Sequence, residues 1–309
     1  MSNKLQKIPP EVTEAIADSL KLLQKSRYSS QERLPEEASQ PLPSLLERCR
    51  RHLSEAGQEP VRVIHHLACT GGTLITKCLA CSPNVLVLNE LDPLSTKTSA
   101  AGLFTPTDLI GLLANSNRPA SMEDKIGLFL AGFSSLHESS EHRGLRMLVR
   151  DHAHSHFCTG NALPQRPTLG EIFKKKFTTL AVVTVRRPLD SWLSLVHNGW
   201  VEFNPGTLDE YAKRYRAFLD AHSDKKVFKY EDFVDSPDQT LAAICSELLL
   251  PFASGFKDLF MVHKLSGDSG RSSGTIGQRE RRPLDDAIRS EVENSESFRA
   301  LCDDLGYAL

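Results

Sequence analysis

Val61-Arg-Val-Ile-His-His-Leu67, running into Ala68-Cys-Thr-Gly-Gly72 and then Thr73 to Cys81, is the stretch that decides the fold. A short apolar run rich in β-branched residues reads as a buried strand. Gly71 and Gly72 close it, because glycine allows a tight turn and lets backbone amides approach a ligand closely. Thr73 to Cys81 reads as a helix, and its N-terminus would turn the positive end of the helix dipole, with the Thr73 hydroxyl, toward an anion. This is phosphate-loop logic without a Walker A motif. That motif needs GxxxxGK[ST], and no Lys follows these glycines.

Outward from this loop, strand and helix patterns alternate. Val85 to Leu88, Leu145 to Val149, Thr178 to Val185 and Lys226 to Lys229 read as strands. Two helices fill 106–138. Pro188 to His197 reads as a helix with Pro in its first turn, where its missing N–H is harmless. Asp238 to Leu250 and Asp285 to Leu305 read as helical. The alternation predicts an α/β fold, a central parallel sheet with helices on both faces, over residues 61–309. Residues 1–60 read as a helical N-terminal extension. Val12, Ile16, Leu20 and Leu23 keep helical spacing, a Ser/Pro/Glu-rich break spans Ser29 to Pro43, and a second helix runs from Leu42 to Ala56.

The composition of the 309 residues is that of a globular protein, with 40% hydrophobic and 25% charged residues. A chain of this size buries roughly 75% of its extended surface and needs no disulfide or metal staple. Lys and Arg number 37 against 39 Asp and Glu, a formal charge of −2, which excludes a globally basic nucleic-acid binder but not a local anion site. Seven cysteines do not make a disulfide scaffold. The polar start MSNKLQKIPPEV and the lack of any 18-residue apolar run predict neither a secretory signal nor a membrane span, hence a cytoplasmic protein. Cys78 and Cys81 form a CxxC without a second ligand pair and read as small residues on a buried helix.

A second signal is Val185-Arg-Arg-Pro-Leu-Asp-Ser-Trp-Leu-Ser194. Arg186 stands where a strand gives way to a helix. Ser194 lies eight residues on, about two turns along one side. A cation and a hydroxyl so placed can hold a second phosphate. Further on, Gly267-Asp-Ser-Gly-Arg-Ser-Ser-Gly274 is Gly/Ser-rich. From Arg271 to Arg282 there are four Arg and one Glu, whereas Asp285 to Leu309 holds seven acids and two bases. That segregation predicts an anionic partner for the basic loop, either the tail or a ligand.

Taken together and in this order, TGGT, RRPLDSWLS, KYEDF and the Arg/Ser/Gly loop resemble the sulfotransferases that use 3′-phosphoadenosine-5′-phosphosulfate (PAPS). The resemblance covers about residues 61–282. It implies that Thr70, Gly71, Gly72 and Thr73 match the family's K-[SG]-G-T loop and bind the 5′-phosphosulfate. It implies that Arg186 and Ser194 hold the 3′-phosphate, that Tyr230 lies near the adenine, and that Arg271, Ser272, Ser273 and Gly274 belong to a late loop that closes over the 3′-phosphate. Thr70 stands where the family has a charge-stabilising Lys, so Lys77 or Arg150 is left to supply that charge.

The resemblance offers two candidates for the base that takes the acceptor's proton. Glu90, after the second strand, resembles the Glu of carbohydrate sulfotransferases. His152 resembles the His of the K-x-H motif in small-molecule sulfotransferases, with Arg150 at the Lys position. Glu90 implies an acceptor hydroxyl on a carbohydrate, and His152 one on another small molecule. His152, His154 and His156 would face one way in an extended segment, with Asp151 and Cys158 nearby, but sulfuryl transfer from PAPS needs no metal and none is expected. Two rival readings remain: a P-loop kinase-like phosphotransferase, and a catalytically inactive nucleotide-binding protein.

Overall fold

The computed structural model describes residues 58–95, 108–114, 116–118, 120–265, 274–278 and 280–308. The expected extension over 1–60 therefore lies outside the described residues up to position 57. Five parallel strands make the central sheet: β1 (Val61–His66), β2 (Val85–Leu91), β3 (Arg146–Asp151), β5 (Thr179–Val185) and β7 (Lys226–Lys229), in the order β2-β3-β1-β5-β7. A small parallel pair, β4 (Thr159–Gly160) with β6 (Glu202–Phe203), stands apart. Between the strands run α1 (Gly72–Leu79), α2 (Leu109–Ala114), α3 (Met122–His142), α4 (Ala153–Phe157), α5 (Leu169–Lys174), α6 (Pro188–His197) and α7 (Leu208–Ala221). After β7 come α8 (Tyr230–Asp235), α9 (Pro237–Glu247), α10 (Phe256–Leu259), α11 (Asp286–Asn294) and α12 (Glu296–Leu305).

The central strand explains the layering. All six residues of β1 are buried, because both faces of a parallel sheet are covered. Successive side chains alternate between the faces. Ile64 joins Leu74, Ile75, Val182, Phe228 and Ile244 in one core, against α1 and α9. Val61 and Val63 join Phe133, Leu169 and Phe173 in another, against α3 and α5. A third core, built on Val183, Trp192, Tyr211, Tyr215 and Phe298, gathers α6, α7 and α12.

The expected parallel α/β sheet is present, with corrections in detail. β2 continues to Leu91 and β3 to Asp151, so Glu90 and Arg150 sit within strands and not in the loops after them. The segment with His154 and His156 is the short helix α4, capped by His152, so the three histidines do not share an extended face. The C-terminal helix is broken in two at Ser295, whose hydroxyl caps α12.

The strand order places the chain's topological switch at β1. From β1 the chain builds outward to β3 and β2, then returns to the other side for β5 and β7. In open α/β sheets the crevice beyond the carboxyl ends of the strands at such a point is where ligands bind.

Candidate functional site

A cavity of about 260 Å³ opens at that crevice. Its wall includes Gly71, Gly72, Thr73 and Lys77 from the first loop and α1, Glu90 from β2, and Arg150 and His152 from β3 and its end. Arg186 from β5 and Tyr230 from α8 complete that part of the wall. The structure thus gathers most of the residues singled out in the sequence, from positions 71 to 230, around one space.

The glycine loop is shaped by what packs on it. Gly71 caps α1 with φ +86°, a conformation that suits glycine. A Cβ on Gly71 would fall 2.2 Å from the Tyr230 ring, and one on Gly72 would fall 2.3 Å from the His66 ring. No side chain caps the N-terminus of α1, its first turn holds no acid, and Gly71, Gly72 and Thr73 line the cavity. Thr70 differs from the expectation. Its side chain is fully buried and its hydroxyl donates to Leu67 O at 2.8 Å, so it does not line the cavity.

Two cations stand at the wall. Lys77, one turn into α1, is nearly buried there. Arg150 donates from Nε to His66 Nε2 at 2.6 Å and from Nη1 to Asn89 Oδ1 at 2.9 Å, and lies 3.3 Å from Glu90 Oε1. His66 Nδ1 meets Leu67 O at 2.8 Å. That pairing makes Nδ1 the donor and Nε2 the acceptor. Burial, and then the Arg150 charge, push the His66 pKa well below its ordinary value, so the ring is a neutral strut between the loop and Arg150.

Glu90 has φ +55°, and the β2–β3 register shifts between Leu88 and Leu91. Four described residues other than glycine have positive φ, and two of them, Cys69 and Glu90, line this cavity. Backbone conformations of this cost persist where the surroundings impose them, and they cluster at functional sites. Nothing in the sequence marked Cys69, although it stands immediately before the quoted TGGT. Burial pushes its thiol up to about 11.

Arg186 borders a second space, of about 450 Å³, with Ser194, Arg281 and Arg282. Arg186 Nη1 donates to Cys69 O at 3.3 Å and the guanidinium lies 5.2 Å from the Tyr230 ring centre. Its buried Nε has no hydrogen-bond partner among the described residues. The Ser194 hydroxyl donates to Asp190 O at 2.8 Å, so its oxygen remains an acceptor. Of the late loop, Arg271, Ser272 and Ser273 lie outside the described residues, and Gly274 is exposed. Sequence reasoning also passed over Trp200 and Glu202, which line the first cavity.

Behind Arg150 and His152 lies a buried trio. His65 Nδ1 and Asp151 Oδ2 are 2.6 Å apart, and the His65 and His222 rings stack at 4.0 Å. Burial lowers both imidazoles to about 3 and raises the Asp151 carboxyl to about 7. Among the described residues, no helix is long and apolar enough to cross a membrane.

No protein-family model matches this chain, and no curated protein does. Its fold has solved counterparts. The sulfotransferase domain from the curacin biosynthetic pathway is 16% identical at a TM-score of 0.51, covering 82% of this chain and 100% of that one. The sulfotransferase domain from the Synechococcus PCC 7002 olefin synthase is 14% identical at a TM-score of 0.51, covering 82% and 97%. The chain has the sulfotransferase fold.

Proposed function

We propose that this protein is a sulfotransferase that moves a sulfuryl group from PAPS to an acceptor hydroxyl. The observation that supports this reading is convergence: an uncapped glycine-rich helix start, two cations and two candidate bases surround one cavity at the switch point, and an Arg-lined space adjoins it. PAPS would supply an activated sulfuryl group whose leaving group is a phosphate. The amides at Gly72 and Thr73 fit its 5′ anion. Arg186, with an unused Nε–H, fits its 3′-phosphate together with Arg281, Arg282 and Ser194. With Thr70 turned inward, Lys77 and Arg150 are the cations that offset charge gathering on the transferred group.

Glu90 acts as the base in this reading. Its strained backbone and its pairing with Arg150 hold the carboxylate at the cavity wall, and His152 orients the acceptor. A carboxylate base, with the Trp200 indole on the same wall, favours a carbohydrate hydroxyl. The test has two steps. Adenosine 3′,5′-bisphosphate is titrated calorimetrically, and acceptors are screened with radiolabelled donor. Glu90→Gln should lower turnover by roughly 10²–10⁴ while leaving bisphosphate affinity nearly unchanged, and His152→Ala should cost less. A dead His152→Ala with a normal Glu90→Gln would reverse the roles and remove the carbohydrate argument. Tight bisphosphate binding without transfer to any acceptor would favour the inactive binder, which the inward turn of Thr70 also suits. ATP turnover without sulfonucleotide binding would favour the kinase-like reading.

A further inference from the structure

We propose that His65, Asp151 and His222 form a binding site for one divalent transition-metal ion, with zinc the best match. The proposal goes beyond the sulfuryl-transfer reading and does not depend on it. One potential ligand atom from each residue lies within 4.8 Å of the other two, and all three residues are buried. Two imidazoles and a carboxylate are a donor set that zinc and its neighbours accept.

The second observation is the state of the rings. His222 is 2% exposed, yet among the described residues neither of its ring nitrogens has a hydrogen-bond partner, and His65 Nε2 has none either. Buried polar groups are nearly always paired, and an orphaned one calls for a partner such as an ion.

The backbone explains the gathering. β1 and β3 pair in parallel with Ile64 opposite Arg150, so His65 and Asp151 are neighbours one step further along, on the face away from α1. His222 comes from the end of α7, where it is the C-cap residue, its N–H bonded to the Leu219 carbonyl. Donors about 3.4 Å apart surround a tetrahedral zinc with bonds near 2.1 Å. Closing from the present spacing requires the His65 Nδ1–Asp151 Oδ2 contact to open from 2.6 Å and the His222 ring to move off its stack on His65. Asp151 also borders the main cavity, which leaves a path for the ion and a water as fourth ligand. The ion would tie the carboxyl ends of β1 and β3 to α7, directly behind Arg150 and His152.

The test uses full-length protein stripped with chelator and titrated with cobalt(II) alone, then with zinc(II). The expected result is one equivalent of cobalt, the visible absorption of a four-coordinate site, displacement by zinc, and a higher melting temperature with either ion. His222→Phe keeps a ring against Phe157 and Phe218 and removes both nitrogens. It should weaken binding by at least about 100-fold, as should Asp151→Asn. The exposed His197→Ala should bind as the wild type does. Uptake of neither ion by the stripped wild type would overturn the proposal. So would wild-type affinity in either His222→Phe or Asp151→Asn, each judged on the variant that keeps the native circular dichroism.

Discussion

Replacing Gly72 by alanine adds one methyl group to a helix start, a place where alanine is ordinarily welcome. Here the added Cβ would lie 2.3, 2.5 and 2.6 Å from His66 Cγ, Cδ2 and Nδ1. Ordinary carbon contacts lie near 3.5 Å, so the ring would have to retreat by about 1 Å. It is pinned on both sides, by Leu67 O at 2.8 Å and by Arg150 Nε at 2.6 Å. Losing the bond from the guanidinium costs about 1.5–3 kcal/mol and losing the neutral bond about 1 kcal/mol. Overpacking alone costs about 1–3 kcal/mol. These costs overlap, since a partial retreat keeps some of the bonding, and the expected loss is about 3 kcal/mol. That is a large part of the stability of an ordinary domain.

Urea unfolding measures it, with the slope required to match the wild type. The matched control is Gly127→Ala, in the middle of α3 with nothing within 4 Å of the new Cβ; it should stabilise by about 0.5–1 kcal/mol. The same chemical change should therefore have opposite signs at the two sites. The double variant with His66→Ala locates the cause. With the ring gone, Gly72→Ala should cost at least about 1 kcal/mol less than in the wild type. A loss below about 1 kcal/mol, or an equal loss with and without the His66 ring, would refute the account of the loop.

Three further outcomes follow from other contacts. Arg186→Ala should weaken adenosine 3′,5′-bisphosphate by about 1.5–3 kcal/mol and the 5′-monophosphate much less, measured by calorimetry; equal losses would remove Arg186 from the 3′-phosphate site. Tyr307 Oη donates to Glu231 Oε2 at 2.7 Å, and Glu231 Oε1 accepts from Arg187 N at 3.0 Å, so Tyr307→Phe should cost about 1–2 kcal/mol in urea unfolding, and no change would mean the tail does not brace this loop. Burial pushes the Asp92 carboxyl up, but Arg166 at 2.9 and 2.7 Å and the Ser155 hydroxyl outweigh it and hold the pKa below 3.8. A depressed carboxyl contributes fully above its unfolded pKa of about 3.9 and loses that contribution as pH falls through the folded value. The stability difference between wild type and Asp92→Asn should thus be constant from neutral pH down to about 4 and shrink below it; a difference unchanged down to pH 2 would contradict the ion pair.

What the sequence reveals here depends on whether the deciding contact is local. The strand-glycine-helix signal around Gly71 is local, since periodicity and two glycines are enough to read it. Pro188–His197 is local too, and its helix has the bounds the sequence predicts. α7 carries the same kind of local signal: Leu208, Tyr211, Ala212, Tyr215 and Phe218 keep helical spacing behind a Thr207 hydroxyl that accepts from Glu210 N. Other features have no local signal. The positive φ of Glu90 arises where β2 slips against β3, and that register depends on a strand some 60 residues away. The inward turn of Thr70, by contrast, is local: its hydroxyl donates to the Leu67 carbonyl three residues back. Adjacent histidines at 65 and 66 look alike in the sequence, but the pleat sends them to opposite faces. His66 braces the glycine loop through Arg150, while His65 meets Asp151 and His222 in the layer beneath. The site and the buried trio are therefore two sides of one strand, joined through the consecutive residues Arg150 and Asp151, so a change that shifts the β1–β3 register should disturb both together.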